Sequence, residues 1–184
     1  MEGLLSSFDQ STWQQLNKEE MLEWLIDEYG EELKRYIYTY VKNRTTTDDL
    51  FQEVMITVFK KIDTFRGDSS IKTWVYRITA NKCKDYLKSP ANRLILWKNQ
   101  FLNQSDNLTP ESRALLDESK VELIEAILKM PIKEREVLIL YYYKDFSVKE
   151  ISHLLGLNES TIRSRMMRAR NKLKRELREV YLYE

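Results

Sequence analysis

Residues 146–175, FSVKEISHLLGLNESTIRSRMMRARNKLKR, constrain the fold of this chain more than any other stretch. Ser147 is placed to cap a helix in which Val148, Ile151, Leu154 and Leu155 share one face. Gly156 stands where a helix stops in a left-handed conformation, and Asn158 is placed to cap the next one. In that second helix Ile162, Met166, Ala169 and Leu173 form an apolar stripe with spacings of four, three and four. Ser160, Arg163, Ser164, Met167, Arg168 and Asn171 are left outside it. A helix anchored on one face and cationic on the other is what a helix-turn-helix lays into the DNA major groove. Arginine suits that role because its planar fork can bond a guanine edge or a phosphate at two points. An isolated amphipathic helix with a solvated charge face would explain the arginines alone. It would not explain the turn, both caps and the preceding helix together.

The rest of the chain reads as helix too. Among 184 residues there are only four Gly and three Pro, which argues against an all-β fold. Apolar positions repeat with helical period over 20–42, at Leu22, Leu25, Ile26, Tyr29, Leu33, Tyr36, Ile37 and Tyr40. Thr46 followed by Asp49 resembles a capping box, opening a helix that runs to about Ile62 on Leu50, Val54 and Val58. The polar loop Arg66-Gly67-Asp68-Ser69-Ser70 precedes a third helix, in which Ile71, Trp74, Val75 and Ile78 share a face and which Ser89-Pro90 ends. Asn, Gln, Ser and Asp gather at 99–109, marking a linker. From Lys120 helical periodicity returns, with Pro131 early in a helix that reaches Tyr143. The expected fold is all-α: two small helical domains joined by a linker, the C-terminal one ending in the helix-turn-helix. The expected boundaries are an acidic N-terminal extension over 1–19, domains over 20–90 and 120–184, and the linker over 91–119.

A formal charge of +1 conceals a strong asymmetry. Nine acids oppose three bases from Met1 to Arg35, whereas eight bases oppose three acids from Lys60 to Lys88 and two acids from Glu159 to Arg178. Two separate basic blocks imply two contacts with a polyanion. The single cysteine, Cys83, excludes an internal disulfide, and with the lone His153 it offers no zinc-ligand set. No Ser/His/Asp or Cys/His constellation and no phosphate-binding glycine loop is visible, so neither catalysis nor a cofactor is expected. The acidic start lacks the pattern of a signal peptide. The longest apolar run, Val137–Tyr143, is far short of the ~20 residues that cross a bilayer. The expected location is therefore cytoplasmic, with no direct membrane insertion.

Three segments in this order and spacing resemble the extracytoplasmic-function (ECF) group of bacterial RNA polymerase sigma factors. They are Asp48-Asp49-Leu50-Phe51-Gln52-Glu53-Val54; Phe65-Arg66-Gly67-Asp68-Ser69-Ser70 with Thr73-Trp74-Val75-Tyr76-Arg77-Ile78; and Thr161-Ile162-Arg163-Ser164-Arg165 with Arg168-Ala169-Arg170. The resemblance covers residues 20–90 and 120–178. It implies two sigma domains and no catalysis. The implied partners are core RNA polymerase (the β′ coiled coil and the β flap), promoter DNA and an anti-sigma factor, which in this family is commonly membrane-bound.

The resemblance assigns Asp48, Asp49, Gln52 and Glu53 to the β′ coiled coil. Acids and an amide on a firm helix face can meet a basic partner with charge-assisted hydrogen bonds, although acids at a helix start also complement the helix dipole unaided. It assigns the second segment to recognition and melting of the −10 element, which needs a pocket for an extruded base and a basic track for the single strand. The residues implied are Phe65, Arg66, Gly67, Asp68, Ser69, Ser70, Tyr76, Arg77, Asn81, Lys82 and Lys84, with Trp74 read as core from its helix face. For the −35 element it implies base contacts from Ser160, Arg163, Ser164, Met167 and Arg168. Thr161, Arg165, Arg170 and Lys172 are left to hold phosphates, which position without reading sequence. Met167 replaces the aromatic or His often found in relatives, and His153 stands where they usually carry a small residue. A stand-alone helix-turn-helix regulator would instead bind duplex without polymerase, usually as a symmetric dimer, and no dimerisation heptads are visible. A helical adaptor binding protein through the acidic half would show no salt-dependent DNA affinity.

Overall fold

A computed structural model of the protein describes residues 16–89, 92 and 118–181. Most of the acidic extension (1–19) and of the linker (91–119) lies outside these residues. Among the described residues there are seven α-helices and no strand, and the elements follow from local signals. Helix α1, Lys18–Val41, begins at a capping box: Asn17 Oδ1 accepts from the Glu20 N–H, and Glu20 Oε2 accepts from the Asn17 N–H, both at 2.9 Å. It ends at Lys42, whose left-handed backbone (φ 53°) turns the chain while its N–H donates to the Tyr38 carbonyl. That turn leaves one residue before the next helix. Helix α2 is Arg44–Lys61, and its cap is Asn43, whose side chain accepts from the Thr46 N–H at 2.9 Å. The expected capping box at Thr46 and Asp49 is thus corrected: Thr46 lies inside the first turn and receives the cap instead of providing it.

A short 3-10 turn, Ile62–Thr64, leads into the polar loop, where Gly67 takes a φ of 76°. Ser70 caps helix α3, Ile71–Lys88, which stops at Ser89 as its proline neighbour requires. After the linker come α4 (Glu118–Lys129), α5 (Ile132–Tyr142), α6 (Val148–Leu155) and α7 (Glu159–Tyr181). Ser147 and Glu150 form the capping box of α6, Gly156 ends it at φ 66°, and the Asn158 side chain accepts from the Thr161 N–H at 2.9 Å. These caps stand where the sequence places them.

Helices α1–α3 pack together through Leu25, Leu33, Leu50, Val54, Val58 and Val75, all 2% exposed or less. Helices α4–α7 pack around Val137, Leu140, Ile151, Leu154, Ile162 and Ala169. Each of the Leu, Val and Ile side chains among these contributes ~1.5–3 kcal/mol by leaving water. The two groups also touch, α3 against α6 and α1 against α5, so the buried side chains form one continuous cluster. The rings of Tyr76 and Phe146 meet across this boundary, and Tyr40 of α1 donates to Glu136 of α5 at 2.8 Å.

Candidate nucleic-acid interface

Helix α7 carries one of the two basic blocks of the chain. Its stripe of Ile162, Met166 and Ala169 is buried, with Leu173 partly so, and this fixes the rotation of the helix. Ser160, Arg163, Ser164, Met167 and Arg168 consequently point outward, Met167 with 59% of its surface exposed. Thr161 and Lys172 lie at the margins of that face. The cations are held in place by acids: Glu159 bonds Arg163 at 3.1 Å, while Glu134 of α5 lies 3.5 Å from Arg168 and 3.9 Å from Lys172. Arg170 is exposed, lies over the Tyr142 ring and donates to its hydroxyl at 2.8 Å. Arg165 differs. Its guanidinium donates to the buried Glu136 at 2.9 Å and is only 13% exposed, so here it faces the protein and not the surface that would meet phosphates. His153 is exposed, and its bulk stays out of the packing between α6 and α7.

The second basic block lies on α3 and the loop before it. Arg66, Gly67 and Asp68 are exposed at the loop, and Arg77 and Asn81 follow one helical turn apart on one exposed face of α3. Phe65 is half-buried against Trp74, ring centroids 5.5 Å apart, and Trp74 packs on the core as its helix face implies. Ser69 is half-buried, and the Ser70 hydroxyl is engaged in the cap of α3, accepting from the Thr73 N–H at 3.1 Å. Lys82 donates to Glu53 at 3.0 Å and Lys84 lies 3.1 Å from Glu136.

Tyr76 needs correction. It is fully buried between Tyr36 and Phe146, and its hydroxyl donates to Glu32 at 3.0 Å. Burial, with the Glu32 charge beside it, pushes the phenol pKa well up, so it stays a hydrogen-bond donor. Its ring belongs to the core and not to a DNA-facing track. The sequence hid this because the residue covering it, Phe146, lies 70 positions away.

On α2 the side chains of Asp48, Asp49, Gln52 and Glu53 are all exposed, with Asp48 3.7 Å from Lys34. Ile56 extends this face, 54% exposed one turn beyond Gln52 and Glu53. Sequence reasoning passed over it. The available signal was an isoleucine standing off the Leu50–Val54–Val58 stripe. In the C-terminal group, Leu123, Ile127, Leu138, Tyr142, Leu173 and Leu177 line an apolar groove of about 520 Å³. Among the described residues no helix is long and apolar enough to cross a membrane, and no cluster of His, Cys, Asp and Glu could hold a metal ion.

Residues 25–93 match the family described as Sigma-70 region 2, and residues 120–173 match Sigma-70, region 4. The chain is 32% identical over 156 residues to the RNA polymerase sigma factor SigZ of Bacillus subtilis, covering 85% of this chain and 86% of that one. It is 29% identical over 165 residues to the ECF RNA polymerase sigma factor SigX of the same organism, covering 86% and 84%. Two solved structures share the fold, each with a TM-score of 0.64. One is CnrH in complex with the cytosolic domain of CnrY (23% identity, 92% of this chain and 94% of that one). The other is the sigma factor RpoE in complex with the anti-sigma factor NepR from Bartonella quintana (21% identity, 85% and 96%). A stand-alone helix-turn-helix regulator or an adaptor would not account for the region 2 match ahead of the helix-turn-helix. The chain belongs to the extracytoplasmic-function family of bacterial RNA polymerase sigma factors and is an alternative sigma factor directing promoter-specific transcription initiation.

Proposed function

We propose that this sigma factor divides promoter recognition between its two helix groups, with residues 20–90 working at the −10 element and residues 120–184 at the −35 element. The observation that carries this reading is the outward face of α7, where Arg163, Ser164, Met167 and Arg168 are exposed around a buried stripe. Arg163 and Arg168 read base edges, and Ser160, Ser164 and Met167 complete the contact. Thr161, Arg170 and Lys172 bond phosphates. Arg165 joins them only after leaving Glu136. At the −10 element Asn81 and the exposed part of the Phe65–Ser70 loop hold an extruded base, while Arg77, Lys82 and Lys84 follow the single strand.

Asp49, Gln52 and Glu53 dock on the β′ coiled coil, with Asp48 at the edge of the contact. The apolar groove of the C-terminal group offers the β flap a seat. The chain catalyses nothing itself and acts in the cytoplasm, where its polymerase is. An anti-sigma factor regulates it. That reading is supported by RpoE, a protein of the same fold solved with its anti-sigma factor.

Footprinting of the polymerase–promoter complex tests the division. The double variant Arg163→Ala, Arg168→Ala is expected to lose protection around −35 while an Asn81→Ala variant keeps it and alters opening at −10. Unchanged protection at −35 in the double variant would remove α7 from the DNA.

A further inference from the structure

Two arginines of α7 are held by side chains of another helix, α5, and both at the same nitrogen. Glu134, in the first turn of α5, places Oε1 3.5 Å from Arg168 Nε and Oε2 3.9 Å from Lys172 Nζ. Tyr142, the last residue of α5, accepts from Arg170 Nε at 2.8 Å, and the guanidinium carbon lies 5.6 Å from its ring centroid. An arginine held at Nε still offers both terminal amino groups, the edge that pairs with guanine O6 and N7 or with two phosphate oxygens. Arg163 is held differently. Glu159 of α7 itself bonds one of its terminal amino groups at 3.1 Å, so that pair must part before Arg163 meets a base.

An acid in the first turn of a helix complements the helix dipole unaided. That role needs no partner elsewhere, whereas Glu134 meets two cations of α7. The Glu134 side chain is 13% exposed beside an Arg168 that is 53% exposed, so solvent and salt screen the carboxylate less than they would an open surface pair. An arginine already held in place loses less rotamer freedom when it binds. The carboxylate also offsets the pull of Arg168 and Lys172 on phosphates of any sequence, which favours the matched site over all others.

We propose that Glu134 and Tyr142 are positioning residues for the −35 contact. Glu134 aims Arg168 at a base edge and so sets selectivity, whereas Tyr142 aims Arg170 at a phosphate and so sets affinity. The inference rests on the roles proposed above for Arg168 and Arg170.

The test is binding of holoenzyme, formed from core polymerase and the full-length chain, to a genomic promoter that it uses and to the same fragment with its −35 sequence scrambled. Glu134→Gln keeps the shape and removes the charge. It should lower the native-to-scrambled affinity ratio by about two- to fivefold, the reach of a part-exposed ion pair. In an Arg168→Ala background it should leave the ratio unchanged. Tyr142→Phe should weaken both fragments alike by roughly threefold, and should do nothing further in an Arg170→Ala background. This second arm serves alone if Glu134→Gln does not fold. A residue that only supports the fold would weaken both fragments together, whatever stands at 168 or 170. A wild-type ratio in Glu134→Gln where Arg168→Ala lowers it, or an α5 variant that acts equally without its arginine, would overturn the inference and leave base reading by Arg168 intact. A wild-type ratio in Arg168→Ala would overturn base reading itself, and the inference with it.

Discussion

The ring of Tyr76 meets the ring of Phe146 edge to face across the boundary between the two helix groups, with centroids 5.2 Å apart. Tyr76 lies on α3 and Phe146 in the turn before α6, so an aromatic that sequence order places among DNA-facing residues is used to pack region 2 on region 4. Tyr76→Phe keeps the ring and loses only the bond to Glu32. It should lower stability by about 1 kcal/mol in a denaturant titration. Permanganate footprinting should find its choice of −10 sequence unchanged. A shifted melting pattern at wild-type stability would put Tyr76 back among the DNA contacts.

The outward residues of α7 should separate by role. Arg163→Ala or Arg168→Ala is expected to cost ~1–3 kcal/mol on the preferred −35 sequence and to relax selectivity there. Lys172→Ala should weaken all sequences alike and lower the salt slope by about one unit. Binding isotherms on matched and scrambled duplexes at two salt concentrations measure both quantities. A uniform loss for the arginines would make them phosphate holders.

On α2 the exposed side chains of Gln52, Glu53 and Ile56 form one face. Glu53→Lys and Gln52→Ala should each weaken capture by the β′ coiled coil, with far-ultraviolet circular dichroism unchanged because neither side chain is buried. Ile56→Ala should weaken it too, by up to ~1.5–3 kcal/mol if the partner covers the side chain fully. Equal capture by all three variants and wild type would leave this face to solvent.

Two groups whose pKa values are shifted by desolvation give opposing pH dependences. Burial, with the Arg135 charge adding to it, lowers the Lys42 ammonium to about 8 in the folded protein, against ~10.4 in an unfolded chain. Between these values the unfolded chain holds more protons, so Lys42 disfavours folding below about pH 8 and is relieved as pH rises toward ~10.4. Burial raises the Cys83 thiol to about 12, so the stability it contributes is complete below ~8.5 and lost on approaching 12. Urea midpoints at pH 7.5 and 9.5 should show the wild type gaining on Lys42→Met and losing ground to Cys83→Ala. Parallel pH responses in all three proteins would contradict both assignments.

What the sequence made legible was local. Ser147, Gly156 and Asn158 each act on residues within three or four positions, so their pattern alone places the helix-turn-helix. The outward face of α7 follows by subtraction from its buried stripe. Helix α2 starts three residues earlier than the Thr46 pattern implies, because Asn43 and Thr46 are both competent caps. The tie was decided by Lys42, whose left-handed turn ends α1 and places Asn43 in the capping position. Arg165, Lys84 and Tyr76 were beyond reach for another reason. Their partners are set by packing between segments far apart in the chain, such as Tyr40 and Glu136, which are separated by 96 positions. Charge and spacing show that such residues are basic or aromatic, but only the fold shows which way they turn.

Through the exposed face of α7 and the basic track of α3, this chain is expected to select promoters for core RNA polymerase. In vitro transcription on genomic promoter fragments, with core polymerase alone and with the protein added, tests it most directly. Initiation is expected at a narrow set of promoters only when the protein is present, and is expected to be lost in the Arg163→Ala, Arg168→Ala double variant. No protein-dependent transcript from any fragment, or undiminished transcription by that variant, would contradict it.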